Sequence, residues 1–309
     1  MLLAENTRGV FPISATPFTD GGALDLASTE TLVDFYLARG ASGLTILGMM
    51  GEATKLAPAE ASAFLDVVLA RVSGRVPVVV GVSNPGLGAL AALAHEAIGK
   101  GAAGVMVAPQ PTQKTEEQLI GYFGQVCAAL GPEVPVVLQD FPLALGVYFS
   151  VPTLEAIIAR HPQIVMLKHE DWPGLTKLSR LRRSDSPVRR VSILVGNGGL
   201  FLPQELARGA DGAMTGYAYP EMLSAVCRLS DAGEADAAED LFDAHLPLIR
   251  HETQPGVGLA VRKEILRRRG AIASAHVRAP GPKLDALDQA ELTRLMHRLE
   301  RRLAQIGVA

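Results

Sequence analysis

Short apolar runs recur along the chain, separated by stretches in which apolar residues return with helical period. The runs at 10–15, 43–47, 76–82, 103–107, 134–138, 164–167, 191–195 and 212–214 are too short for buried helices and read as strands. Their starts fall about 20–33 residues apart, the length of one strand-plus-helix unit. Amphipathic stretches at 29–39, 58–71, 87–100, 116–130, 152–160 and 175–183 fill the intervals. Pro58 and Pro152 stand where a first helical turn tolerates proline, and Gly40 and Gly101 where a helix ends in the left-handed conformation. Eight such units in succession predict an α/β protein, a closed parallel (β/α)8 TIM barrel. A doubly wound open sheet is the alternative, but it calls for a glycine-rich first turn, and Ala15-Thr16-Pro17-Phe18 is not one.

Three more helical stretches follow, at 235–251, 256–269 and 288–305, with arginines on one side and aliphatic residues on the other. The expected organisation is a barrel over 1–232 and a C-terminal helical extension over 233–309 packed on it. Ala279-Pro280-Gly281-Pro282-Lys283 is the expected rigid linker before the last helix.

Composition narrows the class. Hydrophobic residues make up 48% and charged residues 20% of 309, enough for a large core. A net charge of -3 offers no nucleic-acid footprint. Cys127 and Cys227 lie far apart in helical patterns and form neither a metal nor a redox pair. The seven histidines have no metal-ligand spacing, so no metal or cofactor is expected. The first residues lack the basic region and long apolar stretch of a signal peptide, and no apolar run suffices to span a bilayer. A cytoplasmic protein that contacts neither membrane nor nucleic acid is the expectation.

Barrel chemistry gathers at the carboxyl ends of the strands. Lys168 ends the apolar run Ile164-Val165-Met166-Leu167, where an ammonium is costly to bury unless paired or neutral. A neutral amine there could attack a ketone to form a Schiff base; a lysine with its head in water is the plainer account. If the extended chain continues, Lys168 and Glu170 share one side, and His169 points between strand and helix. Gln139 and Asp140 follow the fifth run and Met214 ends the eighth. Gly48-Met49-Met50-Gly51-Glu52 is a turn whose backbone N–H groups could approach a carboxylate, or a tight turn with no ligand. Gly196-Asn197-Gly198-Gly199 could hold a phosphate, or could simply keep the mouth open.

With these residues in view, the chain resembles the dihydrodipicolinate synthase/N-acetylneuraminate lyase family of class I aldolase-type barrels over nearly its whole length. Gly48-x-x-Gly51-Glu52 stands where that family has its glycine-flanked carboxylate-binding turn. Lys168 matches its Schiff-base lysine, and Met214 its pocket wall. The resemblance implies a lyase acting on a 2-oxo acid such as pyruvate, and a homo-oligomer, dimer or tetramer. The departures are as informative. Two threonines usual in the turn are Met49 and Met50, and the usual strand-five tyrosine is Gln139. The arginine usual beyond it is Ala144, and no tyrosine stands in Ala108–Thr112. Methionine cannot donate a proton and a glutamine amide does not titrate near neutrality, so the relay is gone. Dihydrodipicolinate synthesis itself is therefore not expected. Lys168 is the expected nucleophile and Glu170 or Asp140 the expected proton carrier. The amides of Met50 and Gly51 would hold the carboxylate, Gln139 would orient the substrate, and Gly48, Met49, Gly196 and Met214 would line the pocket. The competing expectation is a degenerate member that binds a small carboxylate without turnover.

Overall fold

The computed structural model describes residues 2–183, 185 and 188–307. Eight parallel strands, β1 (Gly9–Val10), β2 (Leu44–Ile46), β3 (Val78–Gly81), β4 (Gly104–Val107), β5 (Val136–Asp140), β6 (Ile164–His169), β7 (Ser192–Val195) and β8 (Gly212–Ala213), alternate with helices. The sheet order is β1-β8-β7-β6-β5-β4-β3-β2. Just past β1, a parallel bridge between Ile13 and Thr45 joins the two remaining edges. Thr45 N donates to Pro12 O at 3.0 Å and Ser14 N to Thr45 O at 2.8 Å. The barrel is thus closed, and no open edge remains.

All eight expected strands form. Their ends differ: β5 runs on to Asp140 and β6 to His169, because Gln139 pairs with Lys168 and Asp140 with His169. Alternation splits each strand between two cores. Inside the barrel, Phe11, Ile13, Met106, Val137, Met166 and Met214 pack on one another. Phe11 fits only because Gly43 faces it; a Cβ there would stand 2.1 Å from the ring. On the outside, Ile46, Val80, Val105, Leu138, Leu167 and Ile193 meet the helices. Burying each such side chain contributes about 1.5–3 kcal/mol.

The helices are α1 (Leu26–Ala38), α2 (Pro58–Val72), α3 (Leu87–Gly99), α4 (Glu116–Leu130), α5 (Pro142–Leu145), α6 (Val151–Arg160), α7 (Gly174–Leu181), α8 (Leu202–Ala207) and α9 (Pro220–Asp231). Pro58 is the first residue of α2, and Thr115 caps α4 by accepting from Gln118 N. The sequence expectation lacked α5, α8 and α9; the first two are too short for helical period to register. After the barrel come α10 (Ala235–Glu252), α11 (Gly258–Arg268) and α12 (Ala286–Gln305), with α10 packing on α8, α9, α11 and α12. No helix among the described residues is long and apolar enough to cross a membrane.

Candidate active site

At the carboxyl end of β6 the strand's alternation turns Lys168 inward, with Glu170 following on the same side. Both are buried, 5% exposed each, and Lys168 Nζ lies 3.3 Å from Glu170 Oε2. Gln139, inward on β5, donates from Nε2 to the same Oε2 at 2.7 Å. One carboxylate oxygen therefore faces an amine and an amide, in a place with little water to screen it. Gly196, at the end of β7, makes room: a Cβ on it would stand 2.2 Å from Glu170 Oε1. Beside it, Asn197 takes a left-handed φ of 51° and donates from Nδ2 to the Glu170 backbone carbonyl at 2.8 Å. Asn197 thereby fixes the strand's last inward residue.

Asp140 does not join them. It falls at an outward position of β5, fully buried, where it accepts from Lys177 Nζ on α7 at 2.6 Å. Its role as proton carrier to Lys168 is corrected on this ground: the sheet lies between the two side chains. His169 also points outward, with Nε2 3.0 Å from Gly174 O. Lys177 reaches Asp171 as well, at 3.0 Å.

The turn after β2 is a 3-10 helix over Met49–Gly51. Gly51 N donates to Gly48 O at 3.0 Å, so that amide, expected to hold a carboxylate, is spent within the turn. The first N–H groups of such a turn, at Met49 and Met50, have no acceptor inside it. Met50 packs against the barrel interior, Met49 is 46% exposed at the rim, and Met214 is fully buried at the end of β8. Glu52 takes φ 53° and turns away, its carboxylate buried against Lys55 and Lys263.

The Gly196–Gly199 loop is not an open anion cradle. Gly198 N donates to Thr215 Oγ1 at 2.7 Å and Gly199 N to Gly196 O at 2.9 Å. The first holds the β7 loop onto the end of β8, and the second closes the loop on itself.

The site thus sets an inward lysine at the end of the sixth strand of a barrel, beside a buried carboxylate. The chain belongs to the dihydrodipicolinate synthetase family, whose model matches residues 6–299. It is a lyase of the Schiff-base-forming kind. An L-2-keto-3-deoxyarabonate dehydratase from Azospirillum brasilense is 33% identical over 297 residues, covering 95% of this chain and 94% of that one. The crystal structure of a dihydrodipicolinate synthase from Rhodopseudomonas palustris shares 48% identity and a TM-score of 0.94, over 96% of this chain and 99% of its own. A prophage protein of the family from E. coli K12, YagE, in complex with pyruvate, is 26% identical with a TM-score of 0.85, over 98% and 99%.

Proposed function

We propose that Lys168 is the condensing amine and that the reaction is the dehydration of a 2-oxo-3-deoxy sugar acid, with Glu170 as the single proton carrier. The observation that carries this reading is the 3.3 Å approach of the two buried groups, with Gln139 anchored on the same oxygen. A synthase and a dehydratase both share this fold, so the side chains must discriminate. Here the hydroxyl relay of the synthases is replaced by Met49, Met50 and Gln139, while a carboxylate stands within reach of the amine.

The Lys168 amine adds to C2 of the 2-oxo acid and water leaves, giving an iminium. That cation acidifies C3, from which Glu170 takes a proton as the C–H electrons form the enamine. The enamine then expels the C4 hydroxyl, which takes the proton from Glu170 and departs as water. Hydrolysis of the remaining imine returns the amine. One carboxylate serves both steps, as base and then acid. The Met50 N–H would hold the substrate carboxylate, Gly48 and Gly196 would leave room for it, and Met49 and Met214 would wall the chain. The Gln139 amide oxygen is available to a substrate hydroxyl. The protein is further read as a cytoplasmic homo-oligomer, dimer or tetramer, which sedimentation velocity would distinguish from a monomer.

Trapping tests the assignment. Borohydride with pyruvate should give a reduced adduct that peptide mass mapping places on Lys168, and Lys168→Ala should abolish it. A 2-oxo-3-deoxy pentonate should be dehydrated in preference to being cleaved. An adduct on another lysine, or none with any 2-oxo acid, would remove the proposal.

A further inference from the structure

Glu170 stands one residue beyond β6, where the chain leaves the sheet on its way to α7 at Gly174. Its backbone keeps one last ladder bond, donating from N to Asp140 O at 2.9 Å, and its carbonyl accepts from Asn197 Nδ2 at 2.8 Å. A group that must carry a proton at a fixed distance from an amine needs firmer support than a strand end supplies.

That support lies on the outer face of the sheet. Lys177, one turn into α7, is buried, and its ammonium reaches back to Asp171 Oδ2 at 3.0 Å and to Asp140 Oδ2 at 2.6 Å. One cation thus ties together the end of β5, the residue after Glu170 and the helix. Asp140 is also the residue whose carbonyl holds Glu170 N, and the ladder pairs it with His169. His169 secures the far end of the loop. Its Nε2 donates to Gly174 O at 3.0 Å, and the approach is so close that a Cβ on Gly174 would stand 2.9 Å from that nitrogen. Stability alone does not call for such a group, because apolar side chains of similar volume often replace a buried ion pair without loss. What the charges add is direction: a paired ionic network fixes where its members stand, while aliphatic packing allows them to slide.

We propose that Asp140, Lys177 and Asp171 form an ionic clamp behind the sheet that fixes the Glu170 carboxylate at the Lys168 amine. All three are positioning residues, since the sheet separates them from the amine and they act through the backbone on either side of Glu170. The inference rests on Glu170 being the proton carrier. Asp140, which cannot itself carry a proton to Lys168, has its place in the site by holding the residue that does.

Asp171 carries the test, because its side chain is 13% exposed, whereas Lys177→Met would strand two carboxylates and threaten the fold itself. Asp171→Ala should lower kcat for the 2-oxo acid about tenfold, within the roughly 10²-fold that a 1 Å misplacement can cost, and leave KM unchanged. The borohydride adduct of pyruvate on Lys168 should still form. Asp171→Asn, whose amide oxygen can accept from Lys177, should recover most of the rate. In a Glu170→Gln background the same Asp171→Ala change should cost nothing further, since the two residues act as one unit. Wild-type turnover in Asp171→Ala, an equal loss in both backgrounds, or an Asn variant as slow as the Ala one would overturn the proposal. Independently of turnover, a crystal structure of Asp171→Ala should show the Glu170 carboxylate displaced from its 3.3 Å approach to Lys168 Nζ. A carboxylate that has not moved would overturn the clamp even if the rate fell. Should Glu170→Gln turn over like the wild type, the proposed reaction fails, and the clamp is judged by that displacement alone.

Discussion

In the proposed reaction Glu170 is the residue on which base and acid duties converge, and its replacement should separate binding from chemistry. Glu170→Gln should still form the borohydride-trapped adduct at Lys168 while losing about 10²–10⁴-fold in turnover, the usual worth of a general acid–base group. Adduct mass and steady-state rate, measured on the same preparation, check both halves; a variant that turns over like the wild type would transfer the role elsewhere. That Lys168 and Glu170 share a side was legible from the period of two along a strand. The placement of Asp140 was not. The fifth apolar run stops at Leu138, so Gln139 and Asp140 both looked like loop residues free to face the mouth. The ladder instead continues to Asp140, and alternation sends the first inward and the second out. Nothing in the local sequence marks that continuation, because the ladder is completed by the neighbouring strand β6.

Among the elements, α10 shows how a buried side chain makes stability depend on pH. His245 on α10 is 3% exposed, and its Nδ1 lies 2.7 Å from Tyr217 Oη just past β8. Burial, with Arg269 nearby, holds the imidazole at about 3, against an ordinary 6.5. The unfolded chain therefore takes up this proton first. The contribution is whole above 6.5 and declines as pH falls toward about 3, by up to roughly 5 kcal/mol. Urea unfolding at stepped pH should show that decline, and His245→Phe should flatten it. An equal slope in both proteins would assign the acid sensitivity to other groups. Most of the long helices were readable from their periodicity, α4 to both its ends, though the 12-residue α9 was not. The short α5 and α8 were not, since four and six residues span too few turns for a pattern. Those two carry the loops nearest the mouth, so the least legible elements border the site.

At the scale of the whole molecule, one buried carboxylate is among the contacts that join the barrel to the C-terminal helices. Glu52, past the Met49–Gly51 turn, meets Lys263 of α11, accepts from Lys55 at 3.0 Å, and accepts Arg278 N at 3.0 Å. Lys263 is fully buried and donates also to His276 O at 2.8 Å. Removing the anion would strand a buried ammonium, so Glu52→Gln should destabilise the fold by about 3–5 kcal/mol. A thermal melt checks this, and adding Lys263→Met should recover part of the loss; a single variant as stable as the wild type would show the pair to be dispensable. The sequence showed the glutamate beside its turn but not its partners Lys263 and Arg278, which stand more than two hundred positions away along the chain.

That join limits how the protein can be taken apart. A shortened chain ending after β8 would keep every strand yet lose the anchors that hold the substrate-facing turn in shape. A hybrid that borrowed its tail from a relative would inherit the same defect unless the graft supplied matching cations. The trailing helices thus brace the Met49–Gly51 turn, and if that turn holds the carboxylate as proposed, trimming or shuffling them should cost affinity for the acid end of the ligand first.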